Sequence, residues 1–181
     1  ENIFMTCGAA ASLNICLKAL LNAGEEVITF APFFPEYRVW VEGVGATLNV
    51  IPAKLPDFQI DAAAFGQAIT PKTKVVIVNT PNNPSGVVYS EETIKNLCTI
   101  LKKKSEEYGA PIYLITDEPY REIVYDDIKV PYLTKYYDNT LVCYSYSKSL
   151  SLPGERIGYI VIPDRIADHE HVAPAIAGAA R

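Results

Sequence analysis

The sequence predicts an α/β fold, a three-layer α/β/α sandwich with a mostly parallel sheet. Short runs rich in β-branched residues are typical of strands, and they alternate with longer runs that have helical spacing. Such alternation favours parallel strands whose connecting helices cover both faces of the sheet. The chain has 181 residues, of which 49% are hydrophobic and 20% charged, so residues 1–181 are expected to fold as one domain.

The expected strands are, in chain order, Val27 to Phe30, Thr47 to Ile51, Val75 to Val78, Ile112 to Thr116, Leu141 to Tyr144 and Ile157 to Ile162. The first expected helix covers 9–22 and ends at Gly24, where glycine can take a left-handed conformation. Asp61 and Ser90 are expected to cap two later helices, the second of which runs to Tyr108 and Gly109.

Composition excludes several classes of function. The net charge of −5 and the pI of about 5.1 provide no basic face for nucleic acid. The most apolar stretches are interrupted well before the roughly 20 residues that a membrane span needs, and the start of the sequence resembles no signal peptide. These features predict a soluble, cytoplasmic protein that binds neither nucleic acid nor membrane.

The cysteines and histidines predict no metal site. The four cysteines, which are expected to be buried free thiols, lack the paired spacing of a zinc cluster. His169 and His171 lie in a polar stretch and are expected to be exposed. The sequence starts without Met and ends inside a helical pattern, which predicts a fragment of a longer protein.

Four loops beside the predicted strands and helices contain candidate functional residues. In the first, Gly8 is followed by Ala9 and Ala10 at the start of a helix. Unpaired amides at a helix N-terminus, with no bulky side chain in front of them, can bind a phosphate. A close helix-packing contact would also explain these small residues.

The second and third loops follow predicted strands. In 79–86 two prolines restrict the backbone and hold Asn83 at the mouth of the sheet, although the same composition is typical of a simple turn. Asp117 ends a buried strand, where a carboxylate favours a cationic partner such as a protonated pyridine nitrogen. Alternatively, Asp117 caps a helix, and Glu118 is expected at the surface.

The fourth loop places Lys148 in a run of hydroxyl residues that ends at Arg156. If the lysine is buried or close to other positive charges, its amine loses a proton more easily and can form a Schiff base. Arg156 can bind a phosphate through paired hydrogen bonds, assisted by Ser145 and Ser147. A solvated lysine is the alternative.

Taken together, these loops resemble the class I and II aminotransferases, which are fold-type I enzymes dependent on pyridoxal 5′-phosphate (PLP). The resemblance covers nearly the whole chain. The matching positions, in the order found in the family, are Asn79, Pro81, Asn83, Pro84, Gly86, Asp117, Tyr120, Ser145, Ser147, Lys148, Arg156 and Gly158.

The resemblance implies a ping-pong transamination between an amino acid and a 2-oxo acid. Lys148 would hold PLP as a Schiff base and act as general acid and base, Asp117 would pair with the ring nitrogen, and Tyr120 would complete the catalytic set. The residues implied to bind the cofactor are Gly8, Ala9, Ala10, Phe34, Asn83, Asp117, Tyr120, Ser145, Ser147, Lys148 and Arg156. For the aromatic that stacks on the ring, Phe33 is the alternative to Phe34.

Family members are longer than this chain, with an N-terminal segment and a C-terminal small domain that carries the arginine for the substrate carboxylate. The resemblance therefore implies that residues 1–181 are the large domain of a homodimeric enzyme, and that this piece alone is inactive. It does not select the amino donor. Two alternatives remain, a PLP-dependent lyase or synthase of the same fold and a non-catalytic PLP-binding regulator module.

Overall fold

The computed structural model describes residues 2–181 and contains one seven-stranded sheet with helices on both faces. The strands are β1 (Ile3–Thr6), β2 (Glu26–Phe30), β3 (Thr47–Ile51), β4 (Thr73–Asn79), β5 (Tyr113–Asp117), β6 (Thr140–Ser145) and β7 (Gly158–Val161). The helices are α1 (Ala9–Leu20), α2 (Glu36–Gly43), α3 (Ala62–Ala68), α4 (Glu91–Tyr108), α5 (Tyr146–Ser149) and α6 (His169–Ala179), with a 3-10 turn at Leu133–Lys135.

The sheet has the order β1-β7-β6-β5-β4-β2-β3. Strands β2 to β6 are parallel to one another, whereas β7 is antiparallel to both β6 and β1. This topology confirms the predicted α/β class with a mostly parallel sheet. All six predicted strands are present within one or two residues of their predicted bounds.

Two hydrophobic cores lie on the two sides of the sheet, which makes the three layers. Val75 and Ile77 of β4 join the core under α1, α2 and α6, while Val76 and Val78 join the core under α3 and α4. Because both faces of β4 are buried, this strand is a continuous apolar run in the sequence.

The predicted helix caps have mixed outcomes. Asp61 accepts hydrogen bonds from the amides of Ala63 and Ala64, and Ser90 accepts one from the amide of Thr93, so both N-caps are confirmed. Gly109 ends α4 in the left-handed conformation, as expected. The prediction for Gly24 was wrong: α1 ends at Leu20, and Gly24, with φ of 86°, lies in the turn before β2.

Two expectations about exposure also need correction. Cys16, Cys98 and Cys143 are buried, but Cys7 is exposed because it lies in the loop before α1. His171 is exposed, whereas His169 is only partly so, because it opens α6 near Asp164. Among the helices within residues 2–181, none combines the length and the apolar character needed to cross a bilayer.

Candidate active site

A cavity of about 210 Å³ lies at the carboxyl ends of β4, β5 and β6. The ends of these adjacent strands meet there because the strands are parallel and in register, with Asn79 beside Asp117 and Asp117 beside Cys143. The cavity is lined by Ala9, Ala10, Leu13, Phe34, Asn79, Asn83, Asp117, Pro119, Tyr120, Ser145, Ser147, Lys148, Pro153 and Arg156. All the predicted cofactor residues except Gly8 line this cavity, and Gly8 lies next to Arg156, which is one of the lining residues.

One end of the cavity has the chemistry of an anion site. Gly8, with φ of 95°, precedes the twelve-residue helix α1, and no side chain caps the first amides of that helix. Arg156 lies against this turn, where its Nη2 donates to the carbonyl oxygen of Cys7 at 3.3 Å. Amides at a helix start and a guanidinium both favour a phosphate dianion.

Gly8 is also required by the space around it. A β-carbon at this position would lie 3.1 Å from Nη2 of Arg156, so any larger residue would press on the guanidinium. The anion site is completed by Ser145 and Ser147, whose Oγ atoms are hydrogen-bonded at 2.8 Å.

Asp117 lies at the opposite end of the predicted cofactor position and is only 5% exposed. Its Oδ2 accepts a hydrogen bond from the hydroxyl of Tyr37 at 2.5 Å. Its Oδ1 is buried and has no hydrogen-bond partner among residues 2–181. The pKa of the Asp117 carboxyl is raised to about 7, chiefly by burial; the hydrogen bond from Tyr37 acts to lower this pKa, and the charge of Glu118 acts to raise it.

An amide network connects Asp117 to Asn83 and Tyr120. Asn79 donates from Nδ2 to the carbonyl oxygen of Asp117 at 2.8 Å, and its Oδ1 accepts from the amide of Asn83 at 2.6 Å. Burial and the charge of Asp117 raise the pKa of the Tyr120 hydroxyl, while a hydrogen bond with the Asn83 side chain lowers it. Asn79 therefore connects the end of β5 to the loop that carries Asn83 and fixes the distance between them.

Lys148 lies on the single-turn helix α5, which follows β6 directly. Ser145 begins this turn by accepting a hydrogen bond from the amide of Ser147 at 3.1 Å. Lys148 lines the cavity but is exposed, so the condition of a buried amine, considered from the sequence, is not met in this structure. Its amine is available to a carbonyl carbon of a bound ligand.

Phe34 lines the cavity, whereas Phe33 does not. Phe33 instead stacks on Tyr37 with ring centroids 6.3 Å apart, and Phe34 packs edge-on against the same tyrosine at 5.9 Å. Phe34 is the aromatic placed to lie against a flat ligand in the cavity.

The prediction that Glu118 is a surface residue was wrong. Its side chain is 3% exposed, accepts from Thr116 Oγ1 at 2.8 Å, and forms an ion pair with Arg121 at 2.5 Å. Arg121 also donates to the carbonyl oxygens of Val130 and Pro131. Asp117 does not cap a helix, because β5 is followed by turns and not by a helix.

Sequence reasoning missed Tyr37 and the role of Asn79. Tyr37 belongs to helix α2, which was not predicted because only Tyr37 and Val41 of its eight residues are buried. Asn79 was noted as part of a motif but was given no partner. The one available signal was its position in the motif, four residues before Asn83.

The residues around the cavity fit a flat ligand with a phosphate at one end and a ring cation at the other. Asp117 Oδ1 is the strongest argument, because a buried carboxylate oxygen without a partner carries a large desolvation cost unless a ligand donates to it. A protonated ring nitrogen is such a donor. Lys148 also lines the cavity, and a lysine amine is a group that can form a Schiff base.

Comparison with known proteins agrees with this geometry. The family model for aminotransferase class I and II matches residues 1–173, and the chain belongs to this family. It is 34% identical over 169 residues to a protein of Bacillus subtilis named as a probable N-acetyl-LL-diaminopimelate aminotransferase. It is 32% identical over 170 residues to the aspartate aminotransferase of Thermotoga maritima.

The solved structure of an aminotransferase from Eubacterium rectale matches with a TM-score of 0.96 and 61% identity over 98% of this chain. The two curated relatives are matched over 93% and 92% of this chain. This chain spans 42% and 44% of those relatives and 45% of the solved chain, which is less than half of each.

Proposed function

We propose that residues 1–181 are the PLP-binding large domain of a longer aminotransferase. The observation that carries this proposal is the buried, unpartnered Oδ1 of Asp117, located in a cavity that also contains an amine and an anion site. Few ligands other than PLP offer a ring cation, a reactive carbonyl and a phosphate together. Family membership supports the same assignment.

Each end of the cofactor has its own group of residues in this proposal. Gly8, Ala9 and Ala10 would bind the phosphate through backbone amides, together with Ser145, Ser147 and Arg156. Asp117 would accept from the ring nitrogen, and Phe34 would stack on the ring. Asn83 and Tyr120 would hydrogen-bond the phenolic oxygen of the cofactor. Their two side chains are already next to each other, because they share a hydrogen bond.

When bound, PLP supplies an electron sink for the pair of electrons left at the substrate α-carbon. Asp117 would keep the ring nitrogen protonated, because its buried carboxylate favours a neighbouring cation. The Lys148 amine would be the base that accepts the substrate α-proton and the acid that gives it back. Tyr120 would hydrogen-bond the phenolic oxygen of the cofactor.

Substrates, assembly and location complete the proposal. The substrates are an amino acid and a 2-oxo acid, used in alternation. The remaining part of the enzyme supplies the small domain and the clamp for the substrate carboxylate, and the enzyme is a homodimer. A cytoplasmic location is part of the proposal, and the acidic net charge of −5 argues against nucleic-acid partners.

The deciding experiment uses the full-length protein. PLP is added, the absorbance is recorded, and borohydride followed by peptide mass mapping locates the reduced adduct. We expect the adduct on Lys148 and its loss in Lys148→Met, whereas Lys129→Met, at a lysine outside the cavity, keeps it. An adduct on another lysine would refute the assignment.

Transamination is then measured with several amino donors and 2-oxo acids. Release of a 2-oxo acid with amination of the acceptor supports the aminotransferase. Elimination or ring-forming products with no amination of the acceptor would instead identify a lyase or synthase, and tight PLP binding without any turnover would identify a regulator module.

A further inference from the structure

Tyr37 is the residue whose contacts are least explained by packing alone. It is 0% exposed, and its hydroxyl donates to Asp117 Oδ2 at 2.5 Å across the interface between α2 and β5. A buried phenol hydroxyl needs an acceptor, and here the acceptor is a buried carboxylate, which itself needs a donor. The contact therefore affects Asp117 as much as Tyr37.

The ring of Tyr37 is held on three sides by other aromatics. Phe33 stacks on it at 6.3 Å, Phe34 packs edge-on at 5.9 Å, and Trp40 lies at 6.2 Å. Because the ring is fixed, the direction of its hydroxyl is fixed too. With this donor on Oδ2, the carboxylate oxygen that has no partner among residues 2–181 is Oδ1.

The charges around Asp117 give the hydrogen bond a second effect. The titratable groups that face this carboxylate are Tyr37 from α2, Glu118 and Tyr120 from the β5 end, and Cys143 from β6. None of them is a cation. Within residues 2–181 no lysine, arginine or histidine forms an ion pair with Asp117. The hydrogen bond from Tyr37 is therefore the contact that opposes the effect of burial on the pKa of Asp117.

We propose that Tyr37 is a positioning residue for the cofactor: it holds Asp117 Oδ2, so that the unpartnered Oδ1 is left to accept from the ring nitrogen, and its hydrogen bond opposes protonation of the carboxyl before the cofactor binds. This inference rests on the proposed function for the identity of the ligand. The Tyr37 contact itself is present in the protein alone.

The same helix also connects the two predicted ring contacts. Tyr37 follows Phe34 by three residues, and Phe34 lines the cavity just before α2 begins at Glu36. The aromatic that covers the ring face and the residue that orients the ring-nitrogen acceptor thus belong to one rigid unit. A shift of α2 would change both contacts together.

The first test needs no cofactor. In the cofactor-free full-length protein, the infrared band of a protonated carboxyl that disappears in Asp117→Asn is followed against pH. In Tyr37→Phe the Asp117 carboxyl loses a hydrogen bond that favours its charged form, so the midpoint of the Asp117 titration is expected to move upward by about one pH unit or more. Replacement of Tyr37 by 3-fluorotyrosine, a stronger donor of nearly the same size, is expected to move it downward.

Tyr113→Phe is the matched control. Tyr113 is also a buried tyrosine and starts the strand that Asp117 ends, but its hydroxyl donates to the carbonyl oxygen of Ala167 at 3.3 Å and to Oδ2 of Asp168 at 3.4 Å, not to Asp117. Its removal is expected to leave the Asp117 midpoint unchanged. An Asp117 midpoint that is the same in the parent, the Phe variant and the fluorotyrosine variant would overturn the inference. If Tyr37→Phe does not fold, the fluorotyrosine protein decides by itself.

The second test adds PLP. If the parent binds PLP, Tyr37→Phe is expected to weaken binding and to change the pH dependence of the visible absorbance, and 3-fluorotyrosine to preserve binding. Unchanged PLP affinity and spectrum in Tyr37→Phe would also overturn the inference. A parent that does not bind PLP refutes the proposed function, whereas the infrared titration still shows whether Tyr37 controls Asp117.

Discussion

Gly158 and Gly8 are in direct backbone contact, since a β-carbon built on Gly158 would lie 2.7 Å from the Cα of Gly8. The same β-carbon would lie 2.5 Å from the carbonyl oxygen of Tyr144. The start of β7 is therefore packed against the turn that opens the anion site, and neither backbone can yield without moving a strand.

This contact makes Gly158→Ala a test of the anion site. Overpacking against backbone atoms typically costs about 1–3 kcal/mol, and here it also displaces the turn at Gly8. We expect the free energy of unfolding in urea to fall by that amount and PLP affinity to fall at least about tenfold. Gly178→Ala, where no atom lies within 4 Å, is the control and is expected to be neutral or stabilising. Equal stability of the two variants would contradict the packing argument.

The cofactor-free protein is expected to lose stability as pH rises between about pH 4 and pH 7. The folded-state pKa of Asp117, about 7, lies above its ordinary value of 3.8, so the folded protein binds the proton more tightly. The contribution is fully present below pH 4 and is lost as pH rises through the folded pKa. Urea unfolding across this range, compared with Asp117→Asn, measures the effect.

Bound PLP should remove this dependence of stability on pH, because a ring cation beside Oδ1 stabilises the carboxylate.

The variant Asp117→Asn is expected to bind PLP with a modest loss of affinity but to slow transamination by at least about a hundredfold. If the stability of the cofactor-free protein depends on pH in the same way in the parent and in Asp117→Asn, a group other than Asp117 is responsible for that dependence.

Lys148→Ala is expected to abolish the reducible adduct and to lower turnover by at least about a thousandfold, because one amine serves as both anchor and proton carrier. PLP should still bind, since the phosphate contacts and Asp117 remain. The checks are equilibrium dialysis for binding and a steady-state assay for turnover. Turnover within tenfold of the parent would mean that a different base moves the proton.

The buried ion pair of Glu118 and Arg121 is expected to dominate the stability of the segment 118–132. Arg121→Met would leave Glu118, 3% exposed, as an uncompensated charge, which typically costs about 3–5 kcal/mol. Arg38→Met, in the exposed pair with Glu42, is the control and should change stability by less than about 1 kcal/mol. Urea denaturation compares the two, and Glu118→Gln added to Arg121→Met should recover part of the loss.

Residues 1–181 expressed alone, once shown to be folded by circular dichroism, are expected to bind PLP or phosphate weakly and to show no measurable transamination. The anion site and Asp117 lie within this chain, whereas the proposed function assigns the clamp for the substrate carboxylate to the remaining part of the enzyme, and positioning of the substrate contributes several kcal/mol to catalysis. An absorbance titration and a 2-oxoglutarate assay on one preparation test both parts. Robust turnover, or indifference to both ligands, would contradict the expectation.

The layout of the site could be predicted because it follows from strand order and motif. Asn83, Asp117 and Lys148 come after three strands that are neighbours in the sheet, so their loops had to meet once the strands were parallel. The helix caps Asp61 and Ser90 were equally predictable, since each needs only its own side chain and the next turn.

What could not be predicted depends on partners distant in sequence. Tyr37 and Asp117 are 80 residues apart, and nothing in the short helix α2 indicates a carboxylate acceptor. Glu118 was assigned to the surface because its burial depends on Arg121 turning back towards it and on two later carbonyl groups. Strand β1 is four residues long and pairs with β7 at the edge of the sheet, and because its exposed residues Ile3 and Met5 are apolar, its sequence shows no alternation of polar and apolar residues.

The pairing of β1 with β7 has a kinetic consequence. Ile3 finds its partner Val161 near the other end of the chain, and long-range pairing of this kind slows folding, because a large loop must close before any contact compensates for the lost entropy. The turn at Gly8 meets Arg156 and Gly158 only after this closure. An anion that binds at this turn needs both ends of the chain in place, and it therefore stabilises the folded protein by mass action relative to forms in which these ends are apart.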